Sequence, residues 1–237
     1  MLRAISFAVA SISICFSPCI ARAGDEADTE AKTATESDSS AVKGVVAIAA
    51  AGSPVIDGEI DEVWSTATAI KVDKPITDLT QVSKEEMSTG EVRVLWSSDK
   101  LSVLWQVSDK ELSAISSEDW AQDSIELFVD RNHEATASYQ DDDAQYRVNF
   151  KGQVSGRGLG FVESDVKAVS KKTDTGYLVE MSINMTDSPL HAGDHLGLEL
   201  QVNNDDGSGE RVSVAKWSHA ENDSFESTEN FGTLTLK

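Results

Sequence analysis

Cysteine is nearly missing from this 237-residue chain: Cys15 and Cys19 are the only two. No disulfide framework can be built beyond residue 19, so the fold must be held by a packed core. Proline is scarce, at four, and so are cations: 20 Lys and Arg stand against 41 Asp and Glu, a formal net charge of −21. Such a surface repels nucleic acid and anionic membranes, and its plainest use is solubility. There is no G-x-S-x-G elbow, no phosphate loop, no H-E-x-x-H helix and no C-x-x-C-H haem attachment sequence. His191 and His195 are four apart, but they flank Gly193 in a turn-like stretch without cysteine partners, which does not suit zinc.

What is present divides the chain into three. Residues 1–23 have the form of a secretory signal peptide: Arg3, an apolar stretch from Ile5 to Ile20, and Ala21-Arg22-Ala23 as an A-x-A cleavage site. The apolar stretch carries Ser11, Ser13, Ser17 and Pro18 and is shorter than the ~20 residues of a spanning helix, so a leader is expected rather than a membrane anchor. The expected location is secreted or periplasmic. Residues 24–42, rich in Ala, Asp, Glu, Ser and Thr and free of aromatics, have the composition of an acidic disordered tether. Residues 43–237 are long enough for one domain of ordinary size.

Within that domain, apolar and polar residues alternate with period two over short runs. These are Glu91 to Trp96, Leu101 to Val107, Ser124 to Asp130, Gln145 to Phe150, Tyr177 to Ile183, Leu196 to Asn203, Arg211 to Trp217 and Gly232 to Leu236. Val45 to Ala50 and Val166 to Lys171 are weaker candidates. Eight or more strands without intervening helices predict an all-β fold, an antiparallel, jelly-roll-like β-sandwich. Four of the runs carry a polar row backed by an apolar one. Glu126 opposes Ile125 and Leu127, Arg147 opposes Tyr146 and Val148, Gln201 and Asn203 oppose Leu200 and Val202, and Ser213 with Trp217 opposes Val212 and Val214. Joined in one sheet, these rows would form a hydrogen-bonding surface; alternation alone describes a solvated face equally well.

The five tryptophans differ in setting. Trp96 and Trp105 lie in apolar strand runs, and Trp64 follows the turn Asp57 to Glu62, so packing accounts for all three. Trp120 sits in a polar loop, Ser116 to Asp123, and Trp217 ends its strand on the polar side, so both are expected as exposed aromatics. The motifs Asp57-Gly58-Glu59-Ile60-Asp61-Glu62-Val63-Trp64, Trp120 to Asp130, Asp141 to Asn149, Gln201-Val202-Asn203 and Phe231-Gly232-Thr233-Leu234, in this order and spacing, resemble family 9 carbohydrate-binding modules. The resemblance covers nearly all of Ile56 to Leu236.

That resemblance implies a non-catalytic module of the kind attached to glycoside hydrolases, taking oligo- or polysaccharides of glucan or xylan type. It implies that Trp120 and Trp217 clamp a terminal sugar, while Glu126, Arg147, Asp109, Gln201 and Asn203 bond its hydroxyls. No cofactor is required, but the family carries structural calcium, which directs attention to Asp141, Asp142 and Asp143; a solvated acidic loop reads the same way. Two other functions fit the composition. A glycoside hydrolase needs only two suitably spaced carboxylates, which many acidic residues could supply. A haem-binding sandwich would need axial ligands such as Met181 or Met185 in an apolar pocket.

Overall fold

The structure, a computed structural model, describes residues 44–76 and 78–237. The expected leader at 1–23 and tether at 24–42 lie outside the described residues. Along the described chain run β1 (Val46–Ala51), β2 (Ile70–Val72), β3 (Lys74–Pro75), β4 (Thr89–Ser97), β5 (Lys100–Ser108), β6 (Ser124–Asp130) and β7 (Ala144–Asn149). There follow β8 (Val154–Arg157), β9 (Val166–Thr173), β10 (Gly176–Asn184), β11 (His195–Asp205), β12 (Arg211–Lys216) and β13 (Gly232–Leu236). The only helical pieces among the described residues are short 3-10 turns, and no helix there is long and apolar enough to cross a membrane. The alternating runs all form strands. β2, β3 and β8 went unforeseen because two to four residues carry no readable period.

The strands pair into two sheets that share one member. In the first, β8, β7, β6 and β11 are neighbours, and the far edge of the long β11 pairs with β13 along one half and with β12 along the other. In the second, β4, β5, β10 and β9 are neighbours, with β2 also against β4. β1 belongs to both: Val46 to Ala49 run parallel to β13, and Ala50 and Ala51 run parallel to β4. The other pairings are antiparallel.

The apolar rows of both sheets meet in one buried cluster. Ile125, Leu127, Val148, Leu198, Leu200 and Val202 from the first sheet pack with Val94, Val103, Trp105, Val179 and Met181 from the second. The Phe150 ring lies 6.4 Å from that of Tyr177 across the layer. Met181 and Met185, the haem-ligand candidates, are spent in this packing. A smaller cluster closes part of the second sheet's outer surface, where Ile56, Trp64 and Ala67 cover Leu95, Leu104 and Leu178. Here the Asp57-Gly58 turn has a use: the buried Glu180 carboxylate accepts from Gly58 N at 2.6 Å, Asp57 N at 3.1 Å and Trp64 Nε1 at 2.9 Å. Trp64 and Trp105 are therefore structural, and Trp96 is half-buried with Nε1 bonded to the carbonyl of Lys237.

Candidate functional site

With the core rows turned inward, the first sheet's polar rows align across its outer face. The register places Ser155, Arg147, Glu126, Gln201 and Lys216 in one line across five strands, with Asn149, Ser124, Asn203 and Val214 in the parallel line. At the centre is the Glu126 carboxylate, 2% exposed. It accepts from Arg147 Nε and Gln145 Nε2, each at 2.7 Å, from Asn203 Nδ2 at 2.8 Å and from Gln201 Nε2 at 3.3 Å. A buried carboxylate is tolerated only with such compensation.

Two aromatics stand over this floor. Trp120, 44% exposed, is carried by the 3-10 turn Asp119–Ala121. Arg147 reaches that turn as well, with Nη1 3.2 Å from Asp119 Oδ2, so one guanidinium ties the floor to the wall. Phe225, half-buried in the loop after β12, is the other. Together they bound a cleft of about 460 Å³ that also meets Phe128, Arg157, Arg211 and Asn222. The Arg211 guanidinium lies 5.1 Å from the Trp120 ring centre, and that of Arg157 5.4 Å from the Phe225 ring centre. A cleft of about 500 Å³ on the second sheet, lined by Lys71, Glu91 and Gln106, offers no exposed aromatic ring, because its Tyr177 is wholly buried.

A buried charge network fixes the Phe225 loop. Lys216 is wholly buried and donates to Ser224 Oγ at 2.5 Å and to the Glu221 carbonyl at 2.8 Å. Glu199, equally buried, accepts from the backbone of Trp217 at 3.0 Å and Ser218 at 2.9 Å, and His219 Nδ1 lies 2.6 Å away. Burial alone would push Glu199 up and His219 down. The bond between them, with Lys216 acting on Glu199 and Asp223 on His219, reverses both, so Glu199 is held low and His219 high.

Glu126, Arg147, Gln201 and Trp120 thus line one cleft, and Asn203 lies wholly buried against Glu126. Trp217 does not line it. It is 6% exposed and belongs to the core, its ring so close to Gly232 that a Cβ there would stand 2.6 Å from it. The face assignment of this strand is reversed: Val214 and Lys216 pair with Asn203 and Gln201 on the cleft side, leaving Ala215 and Trp217 inside. Phe225 takes the position over the cleft. Its signal was the same as that of Trp120, a lone aromatic in the polar stretch Glu221 to Glu226. Arg211, at the start of β12, was not singled out from the sequence; a register shift between Asn204 and Asp205 pairs it with Asp205.

The acidic run also resolves differently from expectation. Asp142 and Asp143 converge with Asp130, their carboxylate oxygens within 4.8 Å of one another, whereas Asp141 is exposed and outside the group. Asp143 is wholly buried, and its Oδ1 has no hydrogen-bond partner among the described residues. Burial, opposed by a bond from Gln140 N and reinforced by the Asp130 and Asp142 charges, pushes it up to about 6. Converging hard oxygens with one left unanswered fit a cation such as calcium.

Comparison with known proteins agrees with this geometry. The model of the "Carbohydrate family 9 binding domain-like" family matches residues 56–237. Endo-1,4-beta-xylanase A of Thermotoga neapolitana is 38% identical over 192 residues, 81% of this chain and 18% of the relative. Exoglucanase XynX of Acetivibrio thermocellus is 38% identical over 191 residues, 81% of this chain and 17% of the relative. The chain thus spans less than a fifth of these relatives. Among solved structures, a family 9 carbohydrate-binding module from Caldicellulosiruptor kristjanssonii in complex with glucose superposes with TM-score 0.74 at 28% identity, covering 81% of this chain and 95% of that one. The cellotriose complex gives TM-score 0.73 at 29% identity, covering 81% and 93%.

Asp109, expected among the hydroxyl-bonding groups, lies outside the cleft lining and is 8% exposed. It neighbours Asp123, whose carboxylate accepts from Ser113 N and from Asp205 N at 2.7 Å and so fixes the segment leading to Trp120. Burial first, then the charge of Asp109, pushes Asp123 up to about 8; Asp109 is raised too, chiefly by burial. A carboxyl group with a higher pKa folded than unfolded stabilises the fold while protonated, and that contribution is lost as pH rises from about 4 through about 8. Asp109→Asn removes the repulsion. It should raise stability at pH 8 by about 1 kcal/mol, a few degrees in Tm, with less effect at pH 5. Denaturation at both pH values checks this, and sugar affinity should not change.

Proposed function

The chain belongs to the carbohydrate family 9 binding domain-like family and is a carbohydrate-binding domain, and on that premise we propose that its cleft holds the terminal sugar of a glucan- or xylan-type oligosaccharide between Trp120 and Phe225. The observation that carries this reading is the Glu126 carboxylate with its four donors, in a cleft that it shares with the Trp120 and Phe225 rings. A pyranose has apolar C–H faces and a rim of hydroxyls. The rings would take the faces, and Glu126, Arg147 and Gln201 would exchange bonds with the rim, while Asn203, wholly buried and outside the lining, would brace Glu126 and Arg211. Glu126 would accept from hydroxyls, with Arg147 holding it in place.

The hydrolase alternative draws no support from this arrangement. Asp119 and Glu126, the carboxylates lining the cleft, are both bonded to Arg147, which commits them to a shared cation rather than to separate acid and base roles. A role beside carbohydrate-degrading enzymes follows from the relatives, whose names describe a xylanase and an exoglucanase.

We infer further that residues 1–23 are a leader and 24–42 a tether, which would deliver the domain to the periplasm or medium. The mass of the exported protein should correspond to a chain beginning at Gly24; retention of the first 23 residues would refute the leader. We also infer that Asp130, Asp142 and Asp143 hold a structural calcium. Adding calcium to chelator-treated protein should raise Tm by several degrees, and Asp143→Asn should abolish the rise.

A disaccharide of about 23 heavy atoms at ~0.3 kcal/mol per atom would bind with ~7 kcal/mol, a Kd near ~10 μM. Titration calorimetry with cellobiose and xylobiose tests the clamp. Trp120→Ala should weaken binding at least tenfold and Phe225→Ala about fivefold. Trp217→Phe should lower stability while leaving affinity intact. A folded Trp120→Ala protein with unchanged affinity would overturn the assignment.

A further inference from the structure

The cleft's charges do not cancel within it. Its two carboxylates, Asp119 and Glu126, are both engaged by Arg147, while Arg157 and Arg211 have no carboxylate within 4.0 Å among the described residues. Glu118, just outside, is occupied by the Trp120 indole N–H. This is unusual for the chain. It has twice as many acidic as basic residues, yet three of the five arginines beyond residue 23 line this one cleft.

Arg211 is the more telling of the two. It is half-buried, and its hydrogen bond among the described residues is a single one, from Nη1 to Asn203 Oδ1 at 3.2 Å. A guanidinium has five N–H donors, so most of its donor capacity is unused here. Burial works against its charge, and the nearby Arg147 does so too; Glu126 favours it but is already saturated. The guanidinium carbon lies over the Trp120 ring, 5.1 Å from its centre, a cation–π contact that uses none of its N–H donors. The acceptor that best matches a guanidinium edge is a carboxylate, which takes two parallel N–H bonds.

We propose that this cleft prefers a sugar bearing a carboxylate, a uronic acid, over its neutral counterpart, with Arg211 receiving the carboxylate and Arg157, beside Phe225, adding positive potential. The proposal rests on the sugar-binding reading above and deepens it. Stacking and hydroxyl contacts would be common to both sugars, so the charged group alone would set the preference. An interaction of this kind weakens with salt, since a partly exposed pair is screened over about 8 Å at physiological ionic strength.

D-Glucose and D-glucuronate differ only at C6, hydroxymethyl against carboxylate, and make a matched pair for calorimetric titration. In 20 mM NaCl glucuronate should bind at least fivefold more tightly than glucose, and the advantage should shrink in 500 mM NaCl. In Arg211→Gln the ratio of the two affinities should fall towards one, whatever happens to glucose itself, whereas Arg211→Lys should retain part of it. Arg157→Gln should reduce the ratio less. Glucose binding equal to or tighter than glucuronate would overturn the preference and leave the sugar site standing. A ratio unchanged in folded Arg211→Gln would overturn the role of Arg211. Binding of neither monosaccharide, with cellobiose also silent, would sink the sugar-binding reading and the preference with it.

Discussion

A carboxylate taken out of water must be answered from several sides at once, and the cleft is organised around meeting that demand for Glu126. The donors come from two strands, Gln145 and Arg147 from β7 and Gln201 and Asn203 from β11, with Glu126 itself on β6 between them. The set can assemble only if both neighbouring registers are correct. A slip of one residue on either strand would turn its donors into the core and bring apolar side chains to the carboxylate. The floor therefore both depends on the sheet and penalises its misalignment.

The walls are tied to that floor through charged groups. Arg147 spans from Glu126 to Asp119 and so relates the Trp120 turn to the sheet. On the other side, Lys216 and Glu199 are on strands, wholly buried, and clasp the backbone and side chains that follow β12 up to Ser224. Burial of an ion pair is seldom a gain in stability over apolar packing, but it specifies one arrangement strongly. Here the arrangement specified is the position of an aromatic ring on an otherwise irregular loop.

Much of the floor was legible from the sequence, and little of the walls was. Period two in Ser124 to Asp130, Gln145 to Phe150 and Leu196 to Asn203 separated polar from apolar rows, and burial of one row forced the other outward. In Arg211 to Trp217 the rule misled, because Val212 and Val214 are themselves buried on the cleft side and so did not mark the core. Trp217 was accordingly placed outside, while Arg211, of the same parity, was not singled out as a site residue. Phe225 and Asp130 were missed for a different reason. Each acquires its neighbours through contacts distant in sequence, Asp130 with Asp142 and Asp143, Phe225 with Arg157 and Asn222.

The hydrogen bonds of Glu126 are complete within the protein itself. On the proposed reading, a sugar hydroxyl arriving there would replace one good bond by another, the long one from Gln201 at 3.3 Å being the easiest to give up. On that reading the polar floor would discriminate shape more than it adds grip, since Glu126 itself holds no unmet demand for a ligand to relieve. A carboxylate already satisfied by its neighbours gives up a hydroxyl as easily as it accepts one, which would favour frequent exchange over long retention.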